Sequence, residues 1–283
     1  MAQMKQHIKT PFLICLAIGV GFAVFCCSLD GTKKSYLLAE RLLSDGSYIA
    51  AVNEFEKVFS RDPKGALGQK ALFRAAMTQM LYLSQNDLAI RKFNTIIETS
   101  NDKDVVWEAK KYIGEILFSK LEDYAQSLQY YQSVLKSNPS ANEAPEFLFR
   151  TGRSYFFLSK FSEALGVYEE IRKKYSQSIW AEKALLEEGL SMFTRGEKGG
   201  VKSKQLSDFQ KGVALYEDFI KLYPKSVGVV QARFGIASCL EEMEQLDTAF
   251  EKFKELRSSY PAPEVIDIKL RRIAERRVQQ KAN

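Results

Sequence analysis

An aromatic residue recurs along this chain at a nearly constant interval, and this recurrence limits what the chain can fold into. The interval is about 37 or 38 residues, apart from one of about 48. The recurring residues are Phe55, Phe93, Tyr131, Tyr168, Tyr216 and Phe253. Self-similarity at a period of roughly 20 to 50 residues is typical of proteins in which repeated units stack on one shared core. The sequence therefore predicts a stack of about six similar units.

Two further positions repeat with the aromatic residue and indicate helices. A small residue stands one helical turn earlier in each copy: Ala51, Ala89, Ser127, Ala164, Gly212 and Ala249. A turn former or helix stopper stands about two turns later: Pro63, Asn101, Pro139, Ser176, Pro224 and Pro261. Proline ends a helix because it lacks the N–H group and restricts the residue before it. Each unit should therefore end soon after its aromatic residue.

The clearest copy of the unit is Ala144–Ser178, which reads as two short amphipathic helices. Residues at helical spacing are Leu148, Gly152 and Tyr155 in the first half, and Ala164, Tyr168 and Ile171 in the second. Gly152 is small where two crossing helices need to come close, and Tyr168 is large where a gap needs filling. One such pair cannot bury its apolar stripes alone, so it needs neighbouring pairs.

This pattern resembles the tetratricopeptide repeat, which carries Leu-Gly and Tyr on its first helix and Ala, an aromatic residue and Pro on its second. The resemblance covers roughly residues 35 to 261, with Ala76 where the second copy should have glycine. It implies an all-α, right-handed solenoid. It also implies that the first helices line a concave groove for extended or helical peptides. The surplus over the usual period is about one helical turn, so the helices should be slightly long.

The sequence thus predicts a single solenoid of about six helix pairs over residues 35–262, after a short linker at residues 30–34. The long interval places an insertion near residues 196–207, expected to form a longer, mobile turn between two helices. A final helix over residues 263–283 should cap the stack, because a solenoid end needs one polar face. Its many basic residues leave open a second interpretation, a patch for an acidic partner.

The first 29 residues are of a different composition and are typical of an export signal. Lys5 and Lys9 precede an apolar run from Pro11 to Leu29. The run is near the lower limit for spanning a bilayer, so an uncleaved anchor helix is an alternative. Cys26 and Cys27 end the run and are candidates for lipidation, as in bacterial lipoproteins. Ordinary cleavage, or cysteines that are merely apolar, are the remaining alternatives.

The rest of the chain has few of the residues that are typical of catalytic or metal sites. The only histidine is His7, within the signal, so the mature part has no histidine for catalytic triads or metal sites. The sequence predicts no catalytic, cofactor-binding or metal-binding residues, and no enzyme. Carboxylate pairs such as Glu187-Glu188 and Glu241-Glu242 are predicted to be solvated. An active-site pair among them remains the enzymatic alternative.

Charge and cysteine use restrict the partners further. The formal net charge is +6, and acidic and basic residues are interleaved, so no nucleic-acid-binding stripe is predicted. Cys239 is the only cysteine within the repeats and is predicted to be a small buried apolar residue. The oligomeric state is left open.

The groove implied by the resemblance gives a set of candidate binding residues. Counting from Gly152, Gly114 and Ala76 in three of the first helices, charged side chains of both signs and several aromatic and methionine side chains fall on the inner face. The candidates are Phe73, Met77, Phe118, Phe149, Arg153 and Phe156. Aromatic and methionine side chains on a solvent-exposed face would indicate a binding surface. The alternative is that long helices pack these residues against each other.

The chain combines an export signal, candidate lipidation sites and helical repeats. In this combination it is similar to the tetratricopeptide lipoproteins of the bacterial envelope. Within these, the chain resembles the subunit type of the outer-membrane β-barrel assembly machinery. It resembles less closely the periplasmic type that coordinates envelope constriction. The resemblance implies a non-catalytic, membrane-tethered scaffold, facing the periplasm, that binds another envelope protein or peptide segment. A purely structural tether is the remaining alternative.

Overall fold

The computed structural model describes residues 31–137, 139–140 and 142–282, and all of its regular elements there are helices. These residues form two compact units, the first ending at Glu122 and the second beginning at Asp123. The all-α prediction is confirmed. The boundary between the two units falls within the third predicted helix pair, and the prediction of a single solenoid domain over residues 35–262 stays a prediction.

The first unit contains five helices and one π-helical turn. They are α1 (residues 31–44), α2 (Tyr48–Arg61), α3 (Ala66–Tyr82), α4 (Asn86–Thr99) and α5 (Lys103–Glu115), which continues into the π-helical turn Ile116–Lys120. From α2 onward, each helix packs mainly against its neighbours in sequence. Tyr36 of α1 lies edge-on to Phe55 of α2, with ring centroids 5.6 Å apart.

The second unit contains eight helices. They are α6 (Tyr124–Lys136), α7 (Ala144–Phe157), α8 (Phe161–Lys174), α9 (Ile179–Lys198), α10 (Lys202–Leu222), α11 (Val229–Glu242), α12 (Leu246–Leu256) and α13 (Pro263–Ala282). Successive helices pack together, and α9 also contacts α7 and α11, which are the first helices of the adjacent pairs. This is the stacking of hairpins that the repeat predicts.

The recurring aromatic residues form the centre of each pair. All of them are buried, and only Tyr216 retains a measurable exposed fraction, 4%. The small residues one turn before them are buried as well. Burying an aromatic side chain contributes about 1.5–3 kcal/mol, so these positions account for a large share of each pair's stability. The repeat pattern is confirmed.

The predicted insertion near residues 196–207 does not form a long mobile turn, so that prediction was wrong. The additional residues extend α9 and α10, and only Gly199, Gly200 and Val201 lie between them. Arg195 of α9 binds Asp208 of α10 through two hydrogen bonds of 2.8 and 2.6 Å. This pair holds the two extensions together, because Asp208 is buried and its charge needs a partner.

The prediction of a short linker at residues 30–34 was also wrong for residues 31–34, because these residues belong to α1. Among the described residues no helix is both long enough and apolar enough to cross a membrane. The predicted signal or anchor at residues 1–29, including Cys26 and Cys27, lies outside the described part of the chain.

Candidate protein-binding surfaces

An open cavity of about 640 Å³ lies between α3 and α5 in the first unit, and we call it the α3–α5 cavity. Ala66, Phe73 and Val105 form the apolar part of its lining. Charged residues flank them, cationic on or just before α3 and anionic on or just before α5. They are Lys64, Lys70 and Arg74 on one side, and Asp102, Asp104 and Glu108 on the other. The cavity can therefore hold an apolar side chain between walls of opposite charge.

Phe73, one of the predicted groove residues, is fixed by the core and still reaches this cavity. Its ring lies edge-on to Phe93 at 5.4 Å and to Tyr112 at 5.6 Å, and Phe93 and Tyr112 stack on each other at 5.5 Å. The side chain is half-buried. A ring held on one side by the core is a pre-organised contact for a ligand on its other side.

Gln69 lines the same cavity and has an unused hydrogen-bond acceptor. The residue is only 5% exposed. Its Nε2 donates to the Pro63 carbonyl and to Thr99 Oγ1, at 2.5 and 3.0 Å. Its Oε1 has no hydrogen-bond partner among the described residues. A buried acceptor left without a donor costs about 1–3 kcal/mol, so this oxygen is an unfavourable feature in the wall of the cavity.

The cations of the α3–α5 cavity differ in how strongly they are engaged. Arg74 donates to both carboxylate oxygens of Glu40, at 2.9 and 2.6 Å. Burial opposes ionisation of Glu40, but hydrogen bonds from Arg74 and Tyr36 hold its pKa below the usual value. Lys70 lies over the Tyr36 ring at 5.5 Å. Lys64 is exposed at the start of the cavity.

A second cavity, of about 520 Å³, lies between α9 and α11 in the second unit, and we call it the α9–α11 cavity. Its lining contains no charged residue. Val227 at its edge is 99% exposed. Ser238 is only 4% exposed and its hydroxyl has no partner among the described residues. This cavity suits an uncharged apolar segment.

The two cavities use the same position of the repeat. Phe234 lines the α9–α11 cavity, lies edge-on to Phe253 at 5.4 Å, and stacks on Tyr260 at 4.9 Å. Phe73 stands in the same relation to Phe93. The sequence analysis missed Phe234 because it did not extend the groove count to the sixth pair. Phe234 precedes the recurring residue Phe253 by nearly the same interval as Phe73 precedes Phe93. This spacing would have identified Phe234.

The other predicted groove residues are placed less favourably for binding. Phe149 is 8% exposed and packs between Tyr168 at 5.9 Å and Trp180 at 5.2 Å. Phe149 thus belongs to the core, as the packing alternative anticipated.

Arg153 and Phe156 lie on the same helix as Phe149 and contact their own neighbours. Arg153 lies over the Phe157 ring at 5.5 Å, and Phe156 packs edge-on against Phe161 at 5.5 Å. In the first unit, Met77 on α3 and Phe118 in the π-helical turn are half-buried. The binding roles of these residues stay predictions.

The acidic residues expected to be solvated are partly buried, so that prediction was wrong for Glu188 and Glu241. Glu188 is 3% exposed and pairs with Arg172 at 2.9 Å. Burial raises the pKa of Glu188 to about 7, although the hydrogen bond from Arg172 opposes this shift. Glu241 is fully buried and is bound by three cations of α13. Each of these carboxylates is engaged in holding helices together.

Cys239 is buried, as predicted, and burial raises the pKa of its thiol to about 12. Such a thiol is not a nucleophile at neutral pH, because the thiolate is the reactive form. Within the described ranges, no group of three or more histidine, cysteine or acidic residues is arranged to hold a metal ion.

Comparisons with known proteins agree with this geometry. Two family models described as tetratricopeptide repeat match residues 116–179 and 231–262. The DnaJ homolog subfamily C member 3 of Gallus gallus is 25% identical over 227 residues, covering 76% of this chain and 42% of that protein. The chain therefore spans less than half the length of this curated relative.

Two solved structures show the same fold. PilW, a type IV pilus biogenesis factor, superposes with a TM-score of 0.56 at 18% identity, covering 84% of this chain and 98% of that one. The C-terminal part of a repeat-containing protein from Cytophaga hutchinsonii gives 0.54 at 15% identity, covering 79% and 78%.

The fold defines an all-α protein of stacked helix hairpins, a class that typically serves as a protein-binding scaffold. More particularly, the chain contains tetratricopeptide repeats, which the family models match at residues 116–179 and 231–262.

Proposed function

We propose that this chain is a non-catalytic, membrane-tethered scaffold of the bacterial cell envelope, with a role in outer-membrane protein assembly. It binds a segment of another envelope protein through the first helices of its repeats. The observation that carries the proposal is the recurrence of an open cavity lined by the Phe73 and Phe234 position of the repeat, in the first unit and again in the second. The apolar run at residues 11–29, with Cys26 and Cys27 near its end, supports the tether.

The residue that faces the cavity from the next first helix explains why the α3–α5 cavity is open. In the second unit, Trp180 of α9 packs on Phe149 and leaves a smaller cavity of about 380 Å³, which Trp180 lines and Phe149 does not. In the first unit, the matching residue is the smaller Val105 of α5. A valine leaves more room than a tryptophan and leaves Phe73 accessible, so the α3–α5 cavity remains available for a side chain of a partner.

A photo-crosslinking amino acid placed at the cavity edges tests the proposal. Ala66 and Val227 occupy the same repeat position, and both are exposed. We expect crosslinks from these two positions to a segment of an exported protein, in the cell that makes the chain. Leu81 and Val201 are matched controls, since they are exposed at 51% and 63% and line neither cavity.

A cavity-filling variant decides whether such a crosslink depends on the cavity. Val105→Trp should lower the yield from position 66 by about tenfold or more, because a blocked pocket loses its anchoring contact. Leu81→Trp, an equally large change on the surface, should leave the yield unchanged. Equal yields from cavity and control positions, or a crosslink insensitive to Val105→Trp, would show that binding occurs elsewhere.

The tether is tested separately by lipid labelling. Radiolabelled palmitate should enter the wild-type chain and should be lost when Cys26→Ser and Cys27→Ser are combined, because the thiol is the acylated group. Cell fractionation gives the second readout. An unlabelled chain in the membrane fraction would indicate an uncleaved anchor instead of a lipid. An unlabelled chain free of membranes would contradict the tether.

A further inference from the structure

One face of α1 is exposed and combines leucines with cations. Leu37 and Leu38 are adjacent, apolar, and 57% and 44% exposed. Lys33, Lys34 and Arg41 are exposed on the same side. At the helical period of 3.6 residues these five positions fall on one continuous face. We call it the α1 outer face.

The opposite side of α1 forms the core of the first unit. Tyr36 and Ala39 are buried there together with Phe55 and Ala71. The α1 outer face is therefore turned away from the rest of the first unit. Its two leucines are not part of the core cluster.

The charge of the α1 outer face has one sign. None of the exposed residues of α1 is acidic. Glu40 lies at the border, where both of its oxygens are bound by Arg74. A basic and apolar helix face is the pattern that binds at an anionic bilayer surface, because cations meet lipid phosphates while apolar side chains enter the headgroup region.

The position of this face in the chain points to the same partner. The apolar run ends at Leu29, and α1 includes residue 31. An extended chain spans at most about 3.6 Å per residue, so Lys33 lies within roughly 14 Å of Leu29. A membrane that holds the apolar run or a lipidated Cys26 or Cys27 is thus within direct reach of α1.

We infer that the α1 outer face lies on the anionic lipid surface of the membrane to which the chain is tethered. The inference rests on the proposed tether and adds a second contact, which fixes how the first unit faces the bilayer. Leu37 and Leu38 enter the headgroup region, and Lys33, Lys34 and Arg41 bind lipid phosphates. Each cation should strengthen surface binding roughly five-fold at physiological ionic strength.

Depth-dependent fluorescence quenching in reconstituted full-length chain tests this contact. Leu37→Trp is introduced with Trp107→Phe and Trp180→Phe, so that the tryptophan at position 37 is the only emitter. Vesicles contain phosphatidylglycerol and lipids brominated near the headgroup. We expect roughly two-fold quenching, because a helix at the interface lies about 5–10 Å deep. Leu81→Trp in the same background is the control and should not be quenched.

Charge reversal supplies the second arm. Lys33→Glu, Lys34→Glu and Arg41→Glu together should abolish the quenching at position 37, while the chain still floats with the vesicles through its tether. Vesicles of phosphatidylcholine alone should give the same result as charge reversal. Circular dichroism confirms that the variants keep their helices.

The outcomes separate this inference from the proposed function. A chain that floats with vesicles but shows no quenching at position 37 overturns the α1 contact and leaves the tether intact. Protection of that tryptophan from iodide without quenching by brominated lipid assigns the face to a protein, including a second copy, and also overturns it. A wild-type chain that does not float overturns the tether and the contact together.

Discussion

Replacing Glu241 by glutamine should lower the free energy of unfolding of the second unit by about 3 kcal/mol. The carboxylate is fully buried and is bound by Lys269, Arg272 and Arg276, at 2.9, 2.9 and 3.2 Å. An amide keeps one acceptor but places an N–H₂ group among these cations. Removing one partner of a buried ion pair costs about 3–5 kcal/mol, and the lower end applies because the cations are partly exposed and regain water.

The neighbouring carboxylate gives a matched control. Glu242 has a side chain that is 30% exposed and meets Arg272 at 3.4 Å. A partly exposed pair of this kind contributes at most about 1 kcal/mol, so Glu242→Gln should have a small effect. Urea unfolding measures both variants, and hydrogen exchange of the α13 amides shows where stability is lost. Equal effects of the two substitutions would mean that Glu241 does not hold α13.

The contacts of α13 explain why its role was only half predictable from sequence. The sequence indicated a capping helix, and Ile266 and Ile273 are buried. The other large apolar side chains of this helix are more exposed, Ile268 at 58% and Val278 at 69%. The helix depends instead on ion pairs with residues about thirty positions earlier. Such pairs follow from tertiary packing, which the repeat pattern does not contain.

The same contacts correct the alternative of a basic patch for an acidic partner. Arg276 also reaches Glu244 at 2.5 Å, and Arg277 reaches Asp247 at 2.6 Å. The cations of α13 thus pair with acidic residues of α11, of α12 and of the turn between them. Paired cations on a surface are less available to an external ligand, because that ligand must first replace the internal carboxylates.

Helix positions were predictable because they depend on local signals, namely apolar spacing and helix stoppers. The prediction failed where no local signal existed. Residues 196–207 contain several glycines and lysines, which are typical of a turn, but the pairing of Arg195 with Asp208 keeps them largely helical. Arg195 and Asp208 come close together only when α9 and α10 have formed a hairpin. No local sequence pattern therefore indicates their contact.

The sequence was sufficient to predict which face of the first helices carries the candidate site. It was not sufficient to predict which residues of that face line a cavity. Phe73 and Phe149 occupy equivalent positions, and both were predicted to bind. Phe73 lines the α3–α5 cavity, where Val105 faces it, whereas Phe149 is covered by Trp180. A comparison of residue sizes across adjacent repeats would have separated the two, whereas each repeat taken alone could not.

Gly152→Ala should destabilise the second unit by about 1–3 kcal/mol, although alanine is the better helix former. A Cβ atom at position 152 would lie 2.4 Å from Cε1 of Tyr168, and this ring is fully buried. The neighbouring pair has the same arrangement, since a Cβ on Gly189 would lie 2.5 Å from Cε1 of Tyr216. The ring cannot withdraw without disturbing the core, so the two helices must separate slightly.

Gly166→Ala in the same hairpin should act in the opposite direction. Gly166 is exposed on α8, and a Cβ there would have nothing within 4 Å. Removing glycine from an exposed helix interior stabilises it by about 0.5–1 kcal/mol. Urea unfolding of the two variants therefore gives free-energy changes of opposite sign for the same chemical substitution. If Gly152→Ala were neutral or stabilising, the close approach of α7 to α8 would not depend on glycine at this crossing. The fully buried Ala76, at the corresponding position of the second pair, shows that a methyl group can be accommodated where the facing side chain leaves room for it.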